Sequence, residues 1–473
     1  MHASRRSARF LPGGLALVLL LAAAPSWAVF PEYTSQDSVH TFWHSGIVTS
    51  DNKVVWDYAF AKLVNGVAAK GYSEIAFAFN QCFGGGMIDE LAAGLQLLPA
   101  SYTSASRHDQ LSYYACVDIQ AGADPLFPNF AACESSYNLH YAPVAGGAPG
   151  GRVPQTQQTA ANAAYNNDLV GQVVNGARLL TNPQWTSSGA VGRGITLHNA
   201  NPNAGPPPPD PQYRAILFAG STQLDGNVAR LNLLTRAIAG AFQVPANWES
   251  LSRMNNAMLA AGYQPNEVWV AYPGGPGGMI FPAAPGNMVN VPAWVDSDTR
   301  AADLKAAFNW LAGQTNASTQ IFYWNSVGHG NRTFDFIGWL QSLGKALLNS
   351  VPFNFTLDSG FTNQIVTFYN TLNPSNGQGA PGSPDLKITT TVPASFSVIL
   401  DGQQLMATEG GDIWGDGTEF QFSFALSRTN ITALAGGGSH TLTVSVTTGP
   451  PNALSAIELL GFTTGDQSPD GAQ

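Results

Sequence analysis

Four short runs of almost wholly apolar residues constrain this chain most: Glu74-Ile-Ala-Phe-Ala-Phe79, Tyr213-Arg-Ala-Ile-Leu-Phe-Ala219, Glu267-Val-Trp-Val-Ala-Tyr272 and Gln320-Ile-Phe-Tyr-Trp324. Each has the length and β-branched or aromatic content of a strand buried on both faces. Before and between them lie stripes at helical spacing. Trp56, Phe60, Leu63, Val64 and Val67 form one, and Leu251, Met254, Met258 and Ala261 a second, closed by Gly262. Leu304, Ala307, Phe308 and Leu311 form a third, closed by Gly313. Strand and helix in alternation predict an α/β fold: a mostly parallel sheet covered by helices on both faces. In such sheets chemistry gathers where strands end.

Three Pro/Gly-rich stretches punctuate the chain, at 146–154, 205–211 and 376–384. The last is the expected linker, because the texture changes after it. From 385 to 473 the chain reads as short alternating runs, such as Phe420-Gln-Phe-Ser-Phe-Ala-Leu426, and Asp401-Gly402 has the form of a two-residue hairpin turn. The expectation is an α/β domain over 29–375 and a C-terminal all-β sandwich over 385–473.

Charge narrows the function classes. The chain has 20 Lys and Arg against 30 Asp and Glu, with only 11% charged residues and no basic run beyond its start. No electrostatic footprint for nucleic acid exists. Arg5, Arg6 and Arg9, the apolar run Gly14 to Ala24 and the small-x-small pattern Ser26-Trp27-Ala28 read as a signal peptide over 1–28. The Arg5-Arg6 pair loosely resembles a twin-arginine signal. The apolar run is too short for a membrane span. The mature protein is expected to be secreted or periplasmic, without a spanning segment.

Export makes the three cysteines informative. Cys116 and Cys133, close in sequence and in polar surroundings, are expected to pair as a disulfide, leaving Cys82 as a free thiol. Cys82 ends one strand, in Phe79-Asn-Gln-Cys82-Phe-Gly-Gly-Gly86. His329 ends another, in Asn325-Ser-Val-Gly-His-Gly330. The glycines are expected to turn the chain and free amides beside the sulfur, and the helix start beyond them to favour a thiolate. A thiol nucleophile needs a base and a donor for the oxyanion. Cys82, His329 and the amides of Gly330 and Cys82 would supply them on neighbouring strands.

Other patterns point to less. His40-Thr-Phe-Trp-His44 has the spacing of a zinc pair but lacks the zincin glutamate, so two exposed histidines are expected there. No metal and no cofactor is expected. His108 and Asp109 are expected on a loop at the substrate rim. The glycines of 273–278 come without a lysine and read as a flexible loop beside the site.

These segments resemble the caspase/legumain-like cysteine peptidases, legumains most closely. Tyr213 to Ser221 looks like that family's first strand, Leu259 to Tyr272 like its second helix–strand unit, Ile321 to Gly330 like its His-Gly strand, and Phe79 to Gly86 like its Cys strand. Residues 104–116 resemble the following strand and specificity loop. The order here is permuted: the Cys block precedes the first-strand block, with 205–211 joining the old ends. Thr222 stands where legumains place an Asn that supports the histidine. The resemblance implies an exported cysteine endopeptidase acting on peptide or protein. The rival is a non-catalytic secreted binding protein with a degenerate core and a β-sandwich adhesion module contacting glycan or protein.

Overall fold

A computed structural model describes residues 43–108 (without 52, 96 and 97), 134–147, 155–167, 183–188, 212–220, 246–280, 289–314, 319–334 (without 329), 385–427 and 438–450, together with shorter pieces between Tyr33 and Leu459. The expected signal peptide, the junction at 205–211 and the linker at 376–384 lie outside the described residues. So do Asp109, Cys116, Cys133, Thr222 and His329.

The α/β part begins with β1 (Trp43–Val48), β2 (Val54–Trp56), α1 (Asp57–Ala68), β3 (Glu74–Phe79), α2 (Ile88–Gly94) and β4 (Ala100–Ser104). Next come α3 (Ser136–Gly146), α4 (Gln157–Asn167), β5 (Gln184–Ser187), β6 (Gln212–Ala219) and α5 (Ala246–Ala261). It continues with β7 (Val268–Ala271), α6 (Ala301–Gly313), β8 (Thr319–Val327) and β9 (Gly330–Phe334). All four apolar runs are strands, and the three stripes lie on α1, α5 and α6. Trp56 departs from its stripe: it is the last residue of β2 and packs with Val54 instead.

The central sheet has six strands in the order β5-β4-β3-β8-β6-β7. Its neighbours run parallel except β5, which is antiparallel to β4 at one edge. The fold is thus mixed α/β around a mostly parallel sheet. Alternation along each strand sends Ile75, Phe77, Phe79, Phe322 and Trp324 to one face, with α1, α2 and α6. Ala76, Ala78, Ala215, Leu217 and Tyr323 go to the other, with α3, α4 and α5. On the first face Phe60 of α1 sits among four rings, 4.7 Å from Trp324, 5.6 Å from Phe308, 5.9 Å from Phe79 and 6.4 Å from Phe77. Each such pair adds about 0.5–1.5 kcal/mol beyond area burial. A small antiparallel sheet, β9-β1-β2, carries the chain beyond β8 back to the N-terminal strands.

The C-terminal part has two four-stranded antiparallel sheets, and Phe396 of one meets Phe422 of the other at 5.5 Å. The hairpin at Asp401-Gly402 forms as the sequence predicts: both residues take positive φ, 48° and 79°, and Leu400 pairs with Gln403. One of these sheets also takes the strand Pro352–Leu357, paired with Gly438–Thr448. Its membership therefore starts before the expected boundary.

The two parts touch. Ile413 and Trp414 lie buried in the aromatic face of the α/β core. Around them, Lys53 donates to the Asp412 carbonyl, Lys305 pairs with Asp416, and the Gln421 amide bonds both backbone groups of Val54. No helix among the described residues is long and apolar enough to cross a membrane.

Candidate functional site

β3 and β8 are parallel neighbours, with Phe77 opposite Trp324 and Phe79 opposite Ser326. The ladder runs one residue further, Asn80 N–H donating to Ser326 O at 2.7 Å. Cys82 therefore leaves the sheet at the edge where β8 ends. The residues on either side of His329 are at this edge. Gly328 takes φ +133°, and a Cβ on it would lie 3.0 Å from the backbone of Gly220, just past β6. A Cβ on Gly330 would collide with the Cys82 carbonyl oxygen, so only glycine lets β9 start there.

The half-buried Cys82 sulfur meets two polar groups, both of Ser112. Its S–H reaches the Ser112 carbonyl at 3.7 Å, and the Ser112 hydroxyl lies 3.8 Å away, also 3.1 Å from Asn80 O. Gly330 also comes close, its backbone packed against the Cys82 carbonyl. Burial pushes the Cys82 thiol above its ordinary value, outweighing its hydrogen bonds with Ser112. The helix beyond does not reverse this. It has seven residues and begins only after an intervening 3-10 turn, Gly84–Met87.

The glycines act differently from expectation. None of the three takes positive φ; Phe83, buried, makes the left-handed turn instead at φ 59°, ψ 17°. Such a conformation in a bulky residue costs about 1–3 kcal/mol and gathers at functional sites. The glycine amides are not free beside the sulfur: they donate to Gln81 O, Ser106 O and Phe83 O. Gly85 is needed for close packing, since its Cβ would meet His108 N and Ser106 O at 2.9 Å. That contact also corrects the placing of His108. It is 1% exposed, beneath the glycine turn rather than on a rim.

Sequence reasoning missed Asn80, Gln81, Asn325 and Ser326, all buried at the two strand ends. Asn80 Nδ2 donates to Asn325 Oδ1 at 3.4 Å, and Ser326 Oγ donates to Gln81 Oε1 at 2.6 Å. Asn80 Oδ1 and Gln81 Nε2 have no hydrogen-bond partner among the described residues. One acceptor and one donor thus stay buried at the strand ends without a hydrogen bond among the described residues. Four polar side chains ending two apolar runs were the available signal.

The remaining expectations fall unevenly. Cys82 is a free thiol. Cys116 and Cys133 are outside the described residues, but the short ladder Tyr114↔Ser135, Ala115↔Glu134 pairs the residues directly before one with those directly after the other. His44 is on a strand, where i, i+4 spacing has no helical meaning. It is half-buried between carboxylates, not exposed. No protein-family profile, no curated protein and no solved structure matches this chain.

Proposed function

We propose that this chain is an exported cysteine endopeptidase of the caspase/legumain-like kind, with a permuted core. The observation that carries the reading is the meeting of Cys82 and Gly330 at one edge of the sheet, beyond the parallel neighbours β3 and β8, where a Cβ on Gly330 would collide with the Cys82 carbonyl oxygen. The succession β6, β8, β3 supports it too, since the first-strand, His-Gly and Cys segments then stand side by side. His329 takes the thiol proton and Cys82 attacks the scissile carbonyl. The C–S bond forms while the amides of Gly330 and Cys82 hold the oxygen. His329 then passes its proton to the leaving amine as the C–N bond breaks. Water, deprotonated by the same imidazole, hydrolyses the thioester. The step needs no metal or organic cofactor. Thr222 supports His329.

The raised thiol favours a second reading, a secreted binding protein with an inactive core that contacts glycan or protein through its C-terminal sheets. Turnover of a mixed fluorogenic peptide library separates the two. Cys82→Ala is expected to lower cleavage by about three orders of magnitude or more, His329→Ala about as much, and Thr222→Ala less. Alkylation of Cys82 in the free enzyme should accelerate as pH rises, inflecting above the ordinary thiol value of about 8.5. A wild type without turnover across the library, or cleavage unchanged by Cys82→Ala, sinks the peptidase reading.

A further inference from the structure

Away from the sulfur, three metal-ligating side chains from three elements meet. His44 Nδ1, on β1, is 3.0 Å from Asp57 Oδ1 and 3.8 Å from Glu90 Oε1. Asp57 begins α1, and Glu90 belongs to the first turn of α2. The imidazole nitrogen and one oxygen from each carboxylate lie within 4.8 Å of one another. Ligands spaced tetrahedrally about a zinc ion at its usual bond lengths stand about 3.3 Å apart. The cluster is within small side-chain adjustments of that.

Its supports are built in. Asp57 is 1% exposed, and its Oδ2 accepts the Ser45 N–H at 2.7 Å while Oδ1 accepts the Tyr58 N–H at 2.8 Å. The His44 ring is held edge-on to Tyr58, with centroids 5.1 Å apart. Such outer contacts orient metal ligands. Two carboxylates and one imidazole carry a net negative charge by themselves in either state of the histidine. A buried carboxylate is costly unless a cation balances it. A divalent ion balances both acids and takes neutral Nδ1 as its third ligand, and an imidazole nitrogen selects zinc-like ions over magnesium or calcium. We propose that His44, Asp57 and Glu90 form a site for one divalent transition cation of the Zn²⁺ class. Its fourth position opens on the side where His44 is 18% and Glu90 21% exposed. The ion ties β1, α1 and α2 together behind the glycine turn.

The test is calorimetric titration of chelator-stripped mature protein in a Cys82→Ala background, so that no thiolate at the other site competes. One equivalent of ZnCl₂ should bind at micromolar affinity or tighter, while CaCl₂ and MgCl₂ give no heat at the same concentrations. His44→Gln and Glu90→Gln should each weaken zinc at least about tenfold, with circular dichroism showing both variants folded. Both substitutions are at partly exposed side chains, so the fold should survive them. Absence of saturable one-site zinc binding in the parent overturns the site. So does zinc affinity that neither substitution lowers.

Discussion

On one face of the central sheet the strands themselves supply the bulk: Phe77, Phe79, Phe322 and Trp324 stand up against Phe60 and Phe308 of the helices. On the other face the same strands offer Ala76, Ala78, Ala215 and Ala219, and the bulk comes down from the helices as Tyr137, Tyr141, Trp248 and Met254. The first face is locked by edge-to-face and stacked rings, and its buried tyrosine hydroxyls, of Tyr72 and Tyr102, end on helix carbonyls. The second carries hydroxyls deep in the core, tolerated because they form a chain. Asn80 bonds Asn325, Asn325 Nδ2 donates to Tyr323 OH at 3.2 Å, and Tyr323 OH bonds Tyr141 OH at 3.3 Å. Burial raises both phenols well above their ordinary values, so they stay neutral donors. The two faces thus differ in where their aromatic bulk comes from, and the connected polar chain runs on the second. The polar side leads to the strand ends where Cys82 stands.

Three substitutions test this division. Phe60→Ala removes the ring at the centre of the aromatic face and should cost about 3–5 kcal/mol in urea unfolding. A loss under about 1 kcal/mol would mean the rings around it are not the anchor of that face. Ala78→Leu forces a large side chain onto the strand side of the other face. It should cost about 1–3 kcal/mol by overpacking, and a neutral result would show that the alanines there leave spare room. Tyr141→Phe keeps the ring and deletes one link of the chain, for about 1 kcal/mol. No change would mean that Tyr323 is satisfied without it.

Much of the fold was legible because local pattern and final environment agree. Strands buried on both faces need apolar runs, and Ile-Ala-Phe-Ala-Phe already states which side is bulky. The Asp401-Gly402 turn was legible for the same reason, as two residues suited to positive φ. What failed to show in the sequence depends on distant partners. Glycines beside Cys82 suggested a glycine turn, yet their backbones are pressed against residues 104–108, and the strained turn fell to Phe83. His44 reads as one of two surface histidines until β1 folds beside α1 and α2. The strand at 352–357 precedes the change in texture, and its partner strand, Gly438–Thr448, comes far later in the chain. The thiol value was misjudged because a helix start is visible in sequence and burial is not.

The loop bearing Ile413 and Trp414 has a consequence for the order of events in the cell. A ribosome delivers α1 and α6 long before it delivers this loop, and both helices contribute to the apolar surface that Ile413 and Trp414 cover. Until the loop arrives, the emerging chain lacks the last pieces of its aromatic core. β3 waits as well, because its neighbour β8 is encoded far downstream. Pairings so remote in sequence are slow to form. The nascent chain consequently cannot complete its aromatic core until its C-terminal part has been made. Trp414 then closes the structure late, from the far end.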